Sequence, residues 1–152
     1  MSEILAGVRK YLKNPTKQTG MTTIKIRSIS SKIFNTIENK DIYHILNLSE
    51  QLLKENNWAF GVIAYDWAYK VRKQYNGRIF EIFEGWLFKY VSGWGSCDDF
   101  CTHAFGNLFM QKNEFFPRII NWTEHEKFCV RRAAAVILIY SIKYVDPKFN
   151  TN

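Results

Sequence analysis

Two short segments of the sequence carry the side chains best suited to chemistry. In the first, residues 92–101, the carboxyl group of Asp98 follows the indole of Trp94 by four residues. In the second, residues 122–134, Arg131 and Arg132 directly precede a run of alanines. A carboxylate can stabilise a developing positive charge, and the face of an indole attracts a cation. A guanidinium can bind a phosphate through two hydrogen bonds at once, which a lysine cannot copy.

Each of these residues also has an ordinary structural explanation. Acidic residues such as Asp98 are common in the first turn of a helix, where the positive end of the helix dipole favours the charged form. Trp94 could be a core aromatic, although the glycines on both sides of it favour exposure into a groove. The core is the expected place for three other tryptophans: Trp58, Trp67 and Trp86.

The arginine pair and several other cations are candidates for DNA or RNA contacts. Adjacent residues of a helix point about 100° apart, so only one of Arg131 and Arg132 is expected to face a ligand. The other is expected to be solvated or paired with Glu124 or Glu126. Six further cations are candidates for a basic surface, although most charged side chains of this kind are only solvated: Lys70, Arg72, Lys73, Arg78, Lys112 and Arg118.

The charge balance favours a polyanionic partner. The 152 residues include 21 Lys and Arg against 14 Asp and Glu, which gives a formal net charge of +7. Such an excess attracts phosphate backbones, but it does not by itself separate DNA from RNA or from an anionic membrane surface. The first residues lack the apolar segment of a signal peptide, and the longest apolar run, 133–140, is too short to cross a bilayer. We therefore expect a soluble, cytoplasmic protein without a membrane partner.

Three cysteines admit two interpretations. Cys97 and Cys101 lie one helical turn apart, which is not the tighter spacing of a zinc knuckle or a redox loop. His103 follows closely, so a metal site is conceivable, but the sequence offers no second pair of ligands. Together with Cys129, these residues are better explained as small buried thiols on helices. We expect neither a bound metal nor another cofactor.

Apolar residues recur at helical spacing along the chain, and no segment alternates as a strand would. Ser2 is predicted to cap a first helix that ends near residue 13, and a loop follows over 14–20. Further helices are predicted from Asn39 or Asp41 to 53 and over 23–37, 57–74, 78–91, 96–110, 117–121 and 123–144, with Asn76-Gly77 ending the one over 57–74. Two helix starts carry capping-box patterns: Ser96 with Asp99, and Thr123 with Glu126. Helix pairs that recur about every 40 residues indicate either a HEAT-like solenoid or an irregular bundle.

The pattern predicts one domain over residues 1–152. It comprises an N-terminal helix and loop over 1–21, helical repeats over 22–145 and a tail over 146–152. The stretch 133–140 is apolar on every side, so its helix should be covered all round, whereas a terminal repeat should present a polar outer face. We therefore expect that a natural C-terminal part is missing. The alternative to a monomer is a dimer that covers the exposed face of this helix.

The segments Ser-Gly-Trp-Gly-Ser-Cys-Asp-Asp-Phe-Cys, from residue 92, and Trp-Thr-Glu-His-Glu-Lys-Phe-Cys-Val-Arg-Arg-Ala-Ala, from residue 122, resemble the signatures of the AlkD-like DNA alkylation repair glycosylases. The resemblance extends more faintly over residues 42–144. It implies an all-α fold of HEAT-like repeats, an α-solenoid wound as a right-handed α-α superhelix. It also implies that Asp98 is catalytic with Trp94 beside it, and that Arg132 grips the DNA backbone next to the lesion.

The resemblance further implies a reaction. The chain would be a monofunctional glycosylase of the DNA-3-methyladenine or 7-methylguanine type, a hydrolase that cleaves the N-glycosidic bond of N3- or N7-alkylated purines in double-stranded DNA. Two other hypotheses stay open: a non-catalytic relative that binds DNA, and a protein-interaction scaffold of the kind that HEAT-like arrays often form. Asp98 favours the enzyme over the binder, and the positive charge disfavours the scaffold.

Overall fold

The computed structural model of the protein describes residues 3–12 and 21–145, with side chains as far as Ile142. Within these ranges the regular structure is helical and contains no strand, which confirms the all-α helical-repeat class. The predicted cap at Ser2, the loop 14–20 and the tail 146–152 lie outside them. The helices are α1 (Glu3–Tyr11), α2 (Thr23–Thr36), α3 (Ile42–Leu53), α4 (Trp58–Lys70), α5 (Gly77–Lys89), α6 (Trp94–Thr102), α7 (Ala104–Gln111), α8 (Phe116–Asn121) and α9 (Phe128–Val145).

None of the helices in the described ranges is both long and apolar enough to cross a bilayer. Short 3-10 turns occur at Arg72–Gln74, Asn113–Phe115 and Trp122–Glu124. The helices group into two compact units, one over residues 1–73 with α1 to α4 and the other over residues 74–152 with α5 to α9.

Polar side chains fix where α2 to α5 begin. The residue before each helix accepts a hydrogen bond from a backbone N–H group of the first turn, at 2.9 to 3.2 Å. Such caps satisfy N–H groups that have no partner inside the helix. The four caps are Thr22, Asp41, Asn57 and Asn76. Of the two predicted starts of α3, Asp41 is the cap and Asn39 is not, and the predicted start of α4 at Asn57 is confirmed. Asn76 and Gly77 begin α5 instead of ending α4, which stops at Lys70.

The first unit is built around α4, which packs against α2 and α3. Its Trp67 side chain is fully buried, and the indole N–H donates to the carbonyl oxygen of Ser30 on α2 at 3.2 Å. The Ser30 hydroxyl in turn donates to the carboxylate of Asp66, at 2.6 Å. The buried polar atoms of this contact therefore bond to one another, as burial requires.

The predicted cap at Ser96 is wrong. The first turn of α6 closes on Gly93, because the N–H of Cys97 donates to the carbonyl of Gly93 at 3.0 Å. Ser96 already lies inside the helix, where its hydroxyl donates to the same Gly93 carbonyl at 3.2 Å. The helix therefore begins at Trp94, with Gly93 as the extended residue before it.

The predicted single helix over 96–110 is two helices, α6 and α7. The chain leaves helical geometry at His103, which has a φ of −122° and a ψ of −89°. Two side chains bond to backbone carbonyl oxygens at the end of α6. The Thr102 hydroxyl donates to the carbonyl oxygen of Asp98 at 2.6 Å, and Nδ1 of His103 lies 2.9 Å from the carbonyl oxygen of Asp99. Side chains that satisfy the last carbonyls allow a helix to stop, which periodicity alone did not predict.

The second unit depends on a close approach at Gly106 of α7. A Cβ atom at this position would lie 2.4 Å from the carbonyl oxygen of Cys101 and 2.8 Å from the ring of Tyr140 on α9. We expect Gly106→Ala to destabilise the protein by about 1–3 kcal/mol, because backbone and ring must both shift. Gly85 on α5 has no such neighbour, so Gly85→Ala should instead stabilise by about 0.5–1 kcal/mol. Denaturant unfolding followed by circular dichroism checks both; equal shifts would contradict the close approach.

The predicted capping box of Thr123 and Glu126 is also wrong. Thr123 lies in a 3-10 turn, where its hydroxyl donates to the carbonyl of Ile120 at 2.7 Å. The chain is then extended at His125, and the first turn of α9 closes on the carbonyl of Lys127. The helix therefore begins at Phe128, five residues later than predicted.

Helices α6 and α7 both pack on α9 in the second unit, above a cluster of aromatic rings. Phe83 makes edge-to-face contacts with Phe100 and Phe105, at centroid distances of 5.2 and 5.5 Å. On α9, Ala133, Ala134 and Ile137 are buried, whereas Ile139 and Ile142 are exposed. Within the described residues, the apolar stretch of α9 is thus covered on one face and open on the other.

Candidate active site

The side chains of Trp94 and Asp98 emerge one turn apart on the same face of α6. The Trp94 side chain is 61% exposed, so it is not a core residue. Trp67 and Trp86 are buried as predicted, and Trp58 is half-buried. Asp98 lies in the second turn, not in the predicted first turn, because α6 begins at Trp94. Its charged form therefore cannot be explained by a capping role.

Asp98 forms a two-pronged ion pair with Arg132 of α9. Nε and one terminal nitrogen of Arg132 donate to the two carboxylate oxygens of Asp98, each at 2.8 Å. The pair remains open to solvent: the side chain of Asp98 is 40% exposed and that of Arg132 is 30% exposed. The arrangement uses two of the five N–H groups of a guanidinium, which leaves three that point elsewhere. The structure thus joins two sequence-predicted site residues that are 34 positions apart.

A buried thiol on α6 contacts α9 next to this pair. Cys97 and Cys101 are buried and Cys129 is half-buried, as predicted for thiols that pack on helices. The thiol of Cys97 donates to the backbone carbonyl of Cys129 at 3.4 Å. Cys97 directly precedes Asp98, and Cys129 lies three residues before Arg132. This contact therefore joins α6 and α9 close to the ion pair. No group of three or more His, Cys, Asp or Glu residues in the described ranges is arranged to hold a metal ion.

The ion pair sets the charge state of both partners. The hydrogen bonds from Arg132 hold the pKa of the Asp98 carboxyl below its usual value; partial burial acts in the opposite direction, and the Arg132 charge lowers the pKa further. The same bonds raise the pKa of the Arg132 guanidinium. Asp98 is therefore ionised at neutral pH. Because its pKa is depressed in the folded state, the pair stabilises the fold above the unfolded-state pKa, and this contribution is lost as the pH falls through the folded-state value.

We expect Arg132→Gln to raise the pKa of Asp98, because the substitution removes both charge-assisted hydrogen bonds. A carbon-detected NMR titration of the Asp98 carboxyl measures the change. Arg131→Gln is the matched control: it removes the same charge one residue away, from a guanidinium that bonds to backbone carbonyls instead. Equal shifts in the two variants would mean that total charge, and not the paired guanidinium, sets this pKa.

The indole of Trp94 contacts both α9 residues that face it. The guanidinium carbon of Arg132 lies 4.7 Å from the centroid of the Trp94 ring, within the range of a cation–π contact. The ring of Phe128 lies 5.7 Å from that of Trp94, at an interplanar angle of 30°. Neither the motif resemblance nor the residue pattern pointed to Phe128. Its position one turn before Arg132 was the available signal, since residues four apart share a helix face.

Arg131 points away from this pair, as predicted from helical geometry. One terminal nitrogen donates to the backbone carbonyls of His125 and Glu126, at 2.7 and 3.0 Å. The prediction was that this arginine is either solvated or paired with Glu124 or Glu126. Its side chain is exposed, and it bonds to the backbone before α9 instead of to those carboxylates. Arg131 therefore fixes the start of the helix that carries Arg132.

The six further cations are distributed over both units. In the first unit, Lys70 pairs with Asp66 at 3.1 Å, Arg72 stacks on the ring of Tyr69 at 4.2 Å, and Lys73 is exposed. In the second unit, Arg78 is exposed and Lys112 is half-buried. Arg118 pairs with the carboxylates of both Glu81 and Glu84 and stacks on the ring of Phe80. Two carboxylates already neutralise Arg118, which makes it the weakest of these candidates for phosphate.

The fold and this site define a helical-repeat protein that carries an exposed carboxylate, indole and guanidinium side by side. The family model of the DNA alkylation repair enzymes matches residues 2–151, which is nearly the entire chain. The protein belongs to that family, and the family assigns it a role in DNA repair with DNA as the substrate. No curated protein and no solved structure matches the chain significantly.

Proposed function

We propose that the protein is a monofunctional DNA glycosylase that hydrolyses the N-glycosidic bond of N3- and N7-alkylated purines in double-stranded DNA. The observation that carries the proposal is the exposed, ionised carboxylate of Asp98, held by Arg132 next to the exposed indole of Trp94. Membership of the DNA alkylation repair family supports the same conclusion.

The proposed substrate needs little acid catalysis. A purine alkylated at N3 or N7 carries a formal positive charge, and cleavage of the bond to C1′ returns the electron pair to the purine, which leaves as a neutral base. Positive charge then develops on the deoxyribose, as in glycoside hydrolysis. Water adds to C1′ and loses a proton to solvent or to a carboxylate. The chain must therefore supply negative charge near the sugar and a means of holding the DNA.

The side chains of the site match these two requirements. In the proposed reaction the Asp98 carboxylate stabilises the cationic sugar and orients water, a kind of preorganised electrostatic stabilisation. The Trp94 indole offers its electron-rich face to the same cation. Arg132 keeps Asp98 ionised, and its remaining N–H groups suit a phosphate next to the lesion.

The decisive experiment measures release of free base from duplex DNA treated with a methylating agent, with chromatographic detection of 3-methyladenine and 7-methylguanine. We expect the wild-type protein to release both, and release of neither would exclude the enzyme. Fluorescence anisotropy with undamaged duplex at increasing salt then tests the remaining hypotheses. Affinity that falls steeply with salt identifies a DNA binder, whereas an absent salt dependence identifies a scaffold.

A further inference from the structure

Phe128 is an exposed aromatic side chain that no part of the proposed mechanism uses. It begins α9, is 47% exposed and lies 5.7 Å from the ring of Trp94, which is 61% exposed. We refer to the exposed rings of Trp94 and Phe128 together as the aromatic platform. Two large, adjacent, solvent-facing rings expose apolar area that folding alone would favour burying, so their exposure suggests a ligand.

The backbone in front of Phe128 is fixed by a set of side-chain bonds. Nδ1 of His125 accepts a hydrogen bond from the N–H of Lys127 at 3.0 Å, and the His125 ring stacks on Phe88 at 4.9 Å. The ammonium group of Lys127 donates to the carbonyl of Phe88, and Arg131 donates to the carbonyls that precede Lys127. The start of α9 is thus bonded to α5 and is also braced by hydrogen bonds among its own residues. Such preorganisation lowers the entropy lost when a ligand binds.

A guanidinium group lies beside each ring of the aromatic platform. The guanidinium carbon of Arg132 lies 4.7 Å from the Trp94 ring, and that of Arg131 lies 5.8 Å from the Phe128 ring. Arg131 donates to backbone carbonyls before α9, so Arg132 is the cation of this surface that faces a ligand. A nucleic acid strand offers a phosphate to such a guanidinium, and the faces of its sugars and bases pack on aromatic rings.

We propose that Phe128 is a DNA-binding residue that packs on the sugar or base of the nucleotide adjacent to the one held at Trp94 and Asp98. This inference rests on the proposed function for the location of the lesion, but not for the contact itself. Trp94 and Phe128 then hold neighbouring nucleotides, and the guanidinium of Arg132 lies near a phosphate. The chemical class of the ligand is duplex DNA: its sugars are accessible at the surface of a stacked duplex, and a base face becomes accessible where the base pair is disrupted.

The test measures affinity for a short duplex that carries one tetrahydrofuran abasic-site analogue, which the protein cannot cleave. Because Phe128→Ala removes the ring on which a base or sugar packs, we expect it to weaken binding roughly tenfold, whereas Phe128→Tyr keeps the ring and should keep wild-type affinity within about twofold. Phe116→Ala is the matched control, since Phe116 is also 47% exposed in the same unit but lies on α8. Phe128→Ala affinity equal to that of the control would overturn the proposal.

A comparison of single and double variants shows whether Phe128 contacts DNA directly or only holds the Trp94 indole in position. If Phe128 touches DNA, Phe128→Ala should weaken binding again when it is introduced into the Trp94→Ala variant. No additional loss in that background would overturn the proposal, because Phe128 would then act only through the indole. The affinity measurements need no turnover. If the wild-type protein releases no alkylated base but these variants still bind DNA more weakly, the glycosylase proposal is refuted and the DNA-binding role of Phe128 stands.

Discussion

Replacement of Asp98 by Asn is expected to reduce the release of alkylated purines by roughly 10²–10³-fold, the usual cost of removing one preorganised electrostatic group from a transition state. Asn keeps the size of the side chain and one acceptor for Arg132, but it removes the negative charge that would face the cationic sugar. Single-turnover base release from methylated duplex DNA, at protein concentrations above saturation, measures the loss without a contribution from product dissociation.

DNA affinity should respond to the same substitution in the opposite direction. Asp98→Asn removes a carboxylate beside the phosphate-binding candidate Arg132, so affinity for duplex is expected to be equal to or greater than that of the wild type. Asp99→Asn is the matched control: it removes the same charge from the next residue of α6, whose carboxylate lies 3.4 Å from the His103 ring. Base release by this control should stay within about threefold of the wild type. An equal loss in both variants would contradict a specific role for Asp98.

The largest effect on stability is expected from Trp67→Ala, at about 3–5 kcal/mol. The Trp67 side chain is fully buried in the first unit, and its loss creates a cavity between α2 and α4. It also deprives the buried carbonyl of Ser30 of the indole N–H that bonds to it. Denaturant unfolding followed by far-UV circular dichroism measures the change, because this signal does not depend on the removed fluorophore.

Two further variants test the cause of that loss. Trp67→Phe retains most of the apolar volume but not the N–H group, so its cost should be clearly smaller than that of Trp67→Ala. Ile24→Ala, in α2 of the same unit, removes an apolar side chain that is 80% exposed and should change stability by no more than about 0.5 kcal/mol. A Trp67→Ala protein as stable as Ile24→Ala would mean that the core of this unit is loosely packed.

Helix class and several helix starts could be predicted because they depend on neighbouring residues. The caps at Asp41 and Asn57 follow from a local hydrogen bond, and helical periodicity predicted that α3 and α5 are helices. Ser96 and Thr123 carried equally good capping patterns and failed. In both cases the hydroxyl donates to a backbone carbonyl three residues earlier, so it belongs to a turn that has already begun.

The candidate site could likewise be predicted only in part from the sequence. Trp94, Asp98 and Arg132 could be singled out from motif resemblance, but their mutual geometry could not, because it depends on how α6 docks on α9. Helical spacing predicted that Arg131 and Arg132 diverge, yet it did not predict which groups each would bind. The carbonyls that Arg131 contacts exist as acceptors only because the chain before α9 is extended and not helical, as the wrong capping box at Thr123 shows.

The side chains proposed to meet DNA come as two pairs with a spacing of four: Trp94 with Asp98 on α6, and Phe128 with Arg132 on α9. Both helices belong to one compact unit, so the azimuth of α9 about its own axis decides whether the pairs meet. A rotation by one residue, about 100°, would swing Arg132 out and bring its neighbouring arginine toward Asp98. The chain would then present the same charges in the wrong order. The hydrogen bond from the Cys97 thiol on α6 to the Cys129 carbonyl on α9 thus helps to fix the rotation of α9 about its own axis relative to α6.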